Sequence, residues 1–464
     1  MKQITKYIFS TVILIVVMFG VSFGQKVMTL EECREQAVQF NKELKNATLQ
    51  NKEAKVNKEV ARTAYFPALS GALSGVYSPR EIDYSFGGTF LPTAGSLEAA
   101  RAGNYTGLSN VYFPEVGLHM DNVTLFNGGL SLDQPVYAGG KIRYTNKQAD
   151  AGVDIAGYAL TLKYSQVIEN TDQAFWNVAM VQENIKIAEE YIKMLTEFED
   201  QMSAMYKVGL QPASEKLKVS VQKNEAELKL IKAKNGLKVA KMYLNQTLGQ
   251  PLETDIRIKY DTLANVQILN MDNGAKFAAN NRSELKILGK KKEISEYSKK
   301  ITRADYLPTI GVSAKYSSYW INDLQENVKF HPYLAAQVSI PLFKWGQGAK
   351  KQRAAQLRVE QAQTDLEHTN DMINLEVLKV KTQVEEAYQS VLLARRNVAE
   401  AKESLSETRA SFDVGLNTTT EMLNVQAQWQ SAQSQLTNAI ARYRILQTTW
   451  KRVTGSLYQP EENK

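Results

Sequence analysis

Few residues in this sequence have the type and spacing that catalysis or metal binding requires. His119, His331 and His368 stand far apart and show no metal-ligand spacing. The glycine pairs at 128–129 and 139–140 lack the pattern of a phosphate cradle and read instead as bends or points of close packing beside strands. No nucleophile motif is visible. A surface hydrolase with helical insertions would need such a constellation, so neither an enzyme nor a bound cofactor is expected. Cys33 is the only cysteine, which excludes an intrachain disulfide. Leu30-Glu31-Glu32-Cys33 has the spacing of a lipoprotein box, but a glutamate precedes the cysteine and the N-terminal apolar run ends at Val21, well before it. Cys33 therefore reads as a small buried residue without a lipid.

With no reaction centre in view, the informative residues are those that build and place surfaces. Lys2 and Lys6 precede an uncharged apolar run from Ile8 to Val21, followed by Ser22-Phe23-Gly24, which predicts a signal peptide over 1–24 and cleavage before Gln25. The formal charge of +7 includes the two signal lysines, leaving +5 spread through long polar stretches, and implies no nucleic-acid partner. No later apolar stretch reaches the length of a membrane-spanning helix. A membrane β-barrel stays open, because its short alternating strands give a much weaker hydropathy signal.

The chain repeats its own pattern once. Pro135 in Leu132-Asp133-Gln134-Pro135-Val136-Tyr137 corresponds to Pro341 in Val338-Ser339-Ile340-Pro341-Leu342-Phe343, an offset of 206 residues, which also carries Val208-Gly209-Leu210 onto Val414-Gly415-Leu416. Tyr65-Phe66-Pro67 matches Tyr306-Leu307-Pro308 at an offset of 241, so the first half holds 35 extra residues. These fall within 78–122, whose Gly, Ser, Asn and Pro content predicts a surface loop. The expected organisation is a signal peptide (1–24), a first repeat (25–255) and a second repeat (256–464), each reading helix, strand, strand, very long helix, return helix.

Four strands alternate. Ile310, Val312, Ala314, Tyr316 and Trp320 oppose Thr309, Gly311, Ser313, Lys315 and Ser317. Leu334, Ala336, Val338, Ile340 and Leu342 oppose Gln337 and Ser339. Phe126, Leu130 and Leu132 oppose Asn127, Ser131 and Asp133, and Leu69, Leu73 and Tyr77 oppose Ser70 and Ser74. An apolar face toward lipid and a polar face inward fit such a pattern. Aromatic residues gather toward the strand ends: Tyr65, Phe66, Tyr137, Tyr306, Phe343 and Trp345 at one, and Tyr77, Tyr316, Tyr319 and Trp320 toward the other. Two segments without proline, about 140–207 and 346–413, predict helices of about 100 Å. Ile373, Val380, Ala387, Ala394 and Ala401, with Val377, Val384, Val391, Val398 and Leu405, form a coiled-coil seam in the second. Each ends at Val-Gly-Leu, where glycine can cap it, before a return helix over about 212–248 or 418–454. Four strands cannot close a barrel alone, so the chain must oligomerise: two copies would give eight strands and a filled interior, three would give twelve and a lumen.

Thr29-Leu30-Glu31-Glu32, the Tyr-x-Pro strand openings, Pro135-Val136-Tyr137-Ala138-Gly139-Gly140, Pro341-Leu342-Phe343 and the two Val-Gly-Leu turns together resemble the TolC-like family of outer-membrane efflux proteins. The resemblance covers the whole mature chain. It implies a mainly α fold with a small β part: a long α-helical coiled-coil barrel on the periplasmic side, and four transmembrane β-strands per chain joined into a twelve-stranded barrel by a homotrimer. It also implies contact with outer-membrane lipid, a periplasmic adaptor and an inner-membrane pump of the resistance-nodulation-division, major-facilitator or ABC class. The family's acidic constriction maps to Glu421 and Asn424, keeping one carboxylate of two, with Met422 and Val425 as the apolar alternative. The other reading of Glu421 is an acidic residue in a first helical turn, where the macrodipole favours it. Val208, Gly209, Leu210, Val414, Gly415 and Leu416 map to the tip that contacts the adaptor. Glu215 maps to a contact between neighbouring helices, with Phe412 and Asn417 at its usual partners' positions. A secreted soluble coiled-coil adaptor is the alternative, and it would have neither twin aromatic girdles nor a twofold repeat.

Overall fold

The two long proline-free segments are each one unbroken helix of 67 residues in the computed structural model, which describes residues 27–79, 82–86, 88–93, 109–120, 123–260, 266–321, 328–329 and 332–458. The expected signal peptide lies outside the described residues. In chain order the elements are β1 (Val27–Met28), α1 (Leu30–Phe40), α2 (Lys42–Thr63), β2 (Ala68–Ser78), β3 (Ile82–Phe86), β4 (Thr89–Thr93), β5 (Ser109–Phe113), β6 (Val116–Met120) and β7 (Val123–Ala138). Then come α3 (Lys141–Lys207), α4 (Ala213–Thr247), β8 (Arg257–Ile258), α5 (Gly274–Asn281), α6 (Ser283–Ala304), β9 (Thr309–Ile321), β10 (Val328–Lys329), β11 (Tyr333–Ser339), α7 (Gln347–Asp413) and α8 (Thr419–Val453). The rods are α3 and α7, and the return helices α4 and α8 are 35 residues each. Among the described residues no helix is long and apolar enough to cross a membrane.

The fold divides into two compact units that cut across the sequence halves. The first is helical and takes the described residues up to Lys58, Ala149–Ser295 and those from Leu357 onward. Its core is built from the heptad seam: Ile373, Val377, Val380, Val384, Ala387 and Val391 are buried with Ile440, Tyr443 and Trp450 of the return helix α8. A matching cluster joins α1, α3 and α4 through Ala37, Phe175, Val178 and Leu244, and includes the fully buried Cys33. Two ionic networks, invisible in the sequence, tie the halves together within this unit. Asp172 of α3 is wholly buried and accepts hydrogen bonds from the Arg34 guanidinium and the Thr448 hydroxyl. Arg282 donates to Glu284 and to Glu376 at 2.9 Å, while Arg452 pairs with Glu169 and Glu376. Burial pushes the Glu376 carboxyl up, but the flanking Arg282 and Arg452 outweigh it and hold it below the usual range.

The second unit, Glu59–Gln148 with Glu296–Gln356, holds the strands. β2, β7, β9 and β11 form one antiparallel sheet in the order β11-β9-β7-β2, with β10 extending the pairing of β9. Its register puts Leu69, Leu132, Ala314 and Leu334 in one row, so the apolar alternations of all four strands share a face. Small residues make room there. A Cβ at Gly75 would sit 2.8 Å from the Phe126 ring, and one at Gly71 would press on Leu130. The opposite face is hydroxylic, where Ser70 and Ser131 are 2.8 Å apart and Ser131 donates to Asp133.

Two expectations are corrected here. The segment 78–122 is not a plain surface loop: β3 pairs with β6 and β4 with β5, two antiparallel ladders nested in sequence. The strand formers Tyr84, Phe86, Phe90, Val111 and Tyr112 outweigh a turn-rich composition that is confined largely to the residues between them. The last strand ends at Ser339, so Ile340 and Leu342 lie beyond it, since Pro341 has no N–H to give a ladder.

Candidate functional site

Both rods end in a left-handed glycine, Gly209 (φ 78°) and Gly415 (φ 79°), with Leu210 N–H donating to Met205 O and Leu416 N–H to Ser411 O. This six-residue closure satisfies the last carbonyls of each rod. It also projects Val208, Leu210, Val414 and Leu416 into solvent, all strongly exposed. Beneath the two turns Phe198, Met202, Val219, Phe412 and Met422 form a small core, with the Phe198 and Phe412 rings edge-on at 5.3 Å. Met422 is therefore a core residue and is not available to line an opening.

Glu421 is exposed and sits at the third position of α8 in a capping box with Thr418. Its carboxylate accepts the Thr418 N–H at 2.7 Å and the Thr418 hydroxyl at 2.9 Å, and its own N–H donates back to that hydroxyl at 3.2 Å. These hydrogen bonds, the backbone one foremost, hold the carboxyl below the usual carboxylate range. Asn424 is exposed one turn on. Beyond it Gln428, Ser431, Gln435 and Asn438 continue the same exposed stripe at spacings of three and four, a set that sequence reasoning missed. That period was readable, but its polar residues pass for any solvated helix face.

Glu215 is half-buried, pairs with Lys218 at 2.7 Å and also reaches Thr419 at the start of α8. The Lys218 ammonium, ahead of Thr419, holds its carboxyl below the usual range. Phe412 and Asn417 do not meet it: Phe412 is in the tip core, and the Asn417 amide turns back to Thr408 O. Thr419 is the partner that the sequence did not reveal.

The aromatic residues occupy both ends of the sheet unevenly. Tyr77 and Trp320 lie at one end, and Trp320 is 5.7 Å from the Phe126 ring. Tyr316 pairs with Leu130 nearer mid-strand, and Tyr319 belongs to the opposite face by alternation. Tyr65, Phe66, Tyr137, Tyr306, Phe343 and Trp345 gather at the helix-side end, where all but the half-buried Tyr306 are exposed.

The family described as "Outer membrane efflux protein" matches residues 33–250 and 277–456, which includes both rods, both return helices and the whole sheet. The chain belongs to the outer membrane efflux protein family. One relative is the alkaline protease secretion protein AprF of Pseudomonas aeruginosa, 24% identical over 289 residues. The match spans 61% of this chain and 59% of that protein's length. The efflux-family chain is also similar to the Campylobacter jejuni CmeC outer membrane channel, with a TM-score of 0.74 at 17% identity over 94% of this chain and 87% of that one. Similarity to the outer membrane protein VceC of Vibrio cholerae gives 0.69 at 15% identity over 92% and 96%. The fold is thus that of outer-membrane channels, and the family is one of channels rather than enzymes. The efflux family resides in the outer membrane, which gives the apolar sheet face its solvent and leaves the soluble-adaptor reading without support.

Proposed function

We propose that three copies of this chain form a passive exit duct from periplasm to exterior, serving a tripartite efflux or type I secretion system. The observation that carries this reading is the sheet: four strands with an apolar face, a hydroxylic face and two edges, β2 and β11, that are unpaired among the described residues. Open edges in lipid leave backbone groups unsatisfied at several kcal/mol each, so β2 of one copy must pair with β11 of the next. Twelve strands then enclose a lumen lined by the Ser70, Ser131 and Ser313 face. The halves 25–255 and 256–464 act as repeats, each supplying two strands, a rod and a return helix. Energy comes from an inner-membrane transporter of the resistance-nodulation-division, major-facilitator or ABC class, joined through a periplasmic adaptor. The exposed Val208, Leu210, Val414 and Leu416 offer that adaptor an apolar surface. A secretion role is favoured by the name of the relative AprF, a protease secretion protein. In mild detergent the expected particle is a trimer by light scattering. A stable monomer or dimer would refute the twelve-strand closure.

We place the stripe from Glu421 and Asn424 to Asn438 on the lumen side of the proposed trimer, so that three Glu421 carboxylates ring the narrow end and attract cations. Glutamine can also serve in a capping box, so Glu421→Gln removes the charge while the helix start is retained. In planar bilayers this variant is expected to weaken divalent-cation block several-fold, on the order of what loss of a charged ring produces. In the unmodified channel the capping hydrogen bonds favour the charged carboxylate, while the like charges of the ring oppose it. Glu215→Gln should change block less. Equal block in all three proteins would leave Glu421 as a helix-capping residue only.

A further inference from the structure

An interfacial aromatic girdle accounts for an aromatic side chain at Trp345 but not for its backbone: the residue is 87% exposed and has a φ of 47°, a left-handed conformation that bulky residues rarely adopt. The first half shows what the turn itself needs. At the equivalent position, 206 residues earlier, stands Gly139 at φ 61°, followed by Gly140 as Trp345 is followed by Gly346. The second half keeps the backbone and puts tryptophan where glycine suffices, and the indole packs into no core. A strained residue that the core does not require points to a use at the surface.

Its neighbours define that use. The Phe343 and Trp345 rings meet edge-on at 5.1 Å, and Lys344 lies 5.5 Å over the Tyr306 ring. Lys350 and Lys351 come next, in the first turns of α7, both exposed. Among the described residues no carboxylate lies within ion-pair distance of Lys344, Lys350 or Lys351, and no acidic residue occurs in α7 before Glu360. Phe343, Lys344, Trp345, Lys350 and Lys351 line one open groove of about 720 Å³. In the first half the positions of the three lysines hold Ala138, Tyr144 and Thr145, so these lysines and the tryptophan have no counterpart at the same positions of the first repeat, whose rod opens with Lys141 and Arg143 instead. The groove also adjoins the end of the apolar strand face at Val338, beyond which the exposed Ile340 and the 90% exposed Leu342 follow in the chain.

We propose that this groove binds the headgroup of an anionic phospholipid, with Lys344, Lys350 and Lys351 on the phosphate, Phe343 and Trp345 at the glycerol level, and Leu342 toward the acyl chains. Charge complementarity and continuity with the lipid-facing strands select a lipid over an acidic protein. The proposal rests on the outer-membrane placement of the strands and not on the duct or on Glu421. In the intact protein in mild detergent, native mass spectrometry should show phosphatidylglycerol retained at least tenfold more tightly than phosphatidylcholine. Replacing Lys350 and Lys351 together with glutamine should reduce that preference on the order of tenfold, since juxtamembrane lysines each contribute to binding anionic lipid. The same charge removed from exposed Lys232 and Lys238 of α4 should leave it unchanged. Trp345→Gly, copying the first half, separates function from structure: the melting temperature should hold or rise while lipid retention falls. Equal retention of the two lipids overturns the proposal. So does displacement of phosphatidylglycerol by equimolar inorganic phosphate, which would mark a free-anion site. A change of oligomer mass in the lysine variant without loss of lipid would make the groove a contact between copies.

Discussion

Asp172→Ala is expected to destabilise the helical unit by about 3 kcal/mol, the lower end of what breaking a buried ion pair costs. The carboxylate is wholly buried, and its two oxygens take Nε and Nη2 of Arg34 from α1 and the hydroxyl of Thr448 from α8. Truncation leaves a guanidinium and a hydroxyl facing a void. Arg34 keeps 29% of its side chain in water, which holds the effect below that of a fully enclosed pair. Asp172→Asn, which retains one acceptor, should cost less. Because the carboxylate joins α1 and α3 of the first half to α8 of the second, the loss should appear in the whole helical signal. The readout is the urea midpoint of that signal by circular dichroism, and a change within about 0.5 kcal/mol, the usual range for surface substitutions, would show that the pair is not a structural clamp.

Gly249→Ala should cost about 3 kcal/mol, and the comparison with other glycines explains the size. Gly249 closes α4 at φ 73°, and a Cβ there would run into the backbone carbonyl of Phe40. The left-handed conformation accounts for about 1–2 kcal/mol and the overlap for the remainder. Neither Phe40 nor the turn can easily give way, because Asn41 holds Thr247 O with its amide at 2.9 Å. Gly455, the counterpart at the end of α8, would bring a Cβ to 3.0 Å of Asn281 and should cost less. Gly415 has nothing within 4 Å and should show the conformational cost alone. Melting temperatures in the order Gly415→Ala, Gly455→Ala, Gly249→Ala, highest first, are expected. Equal shifts for all three would mean that the packing against Phe40 carries no weight.

The tip and the groove differ in how far the sequence could reveal them. The Val-Gly-Leu turns were legible because a left-handed C-cap has a residue signature, and the capping box at Thr418 and Glu421 is signalled by their spacing of three. Thr419 as the partner of Glu215 was not legible, because it depends on two return helices starting side by side. The lysines of the groove carry no motif at all. Their meaning appears only when the backbone angle of Trp345 is set beside that of Gly139.

By itself the sequence determined the long helices and the four alternating strands. Period-two alternation marked four strands and their faces, and heptad spacing with no proline marked two rods. These are local properties, set by the backbone geometry of each segment. Tertiary structure alone decided the register that sets Leu69, Leu132, Ala314 and Leu334 in one row, the ladders within 78–122, and the two ionic networks. Asp172, Glu376, Arg282 and Arg452 look in sequence like ordinary charges on solvated helices, in a chain with 56 basic and 49 acidic residues. Whether a charge is buried and paired depends on which helix face meets which neighbour, and that is settled only when residues as far apart as Arg34, Asp172 and Thr448 pack together.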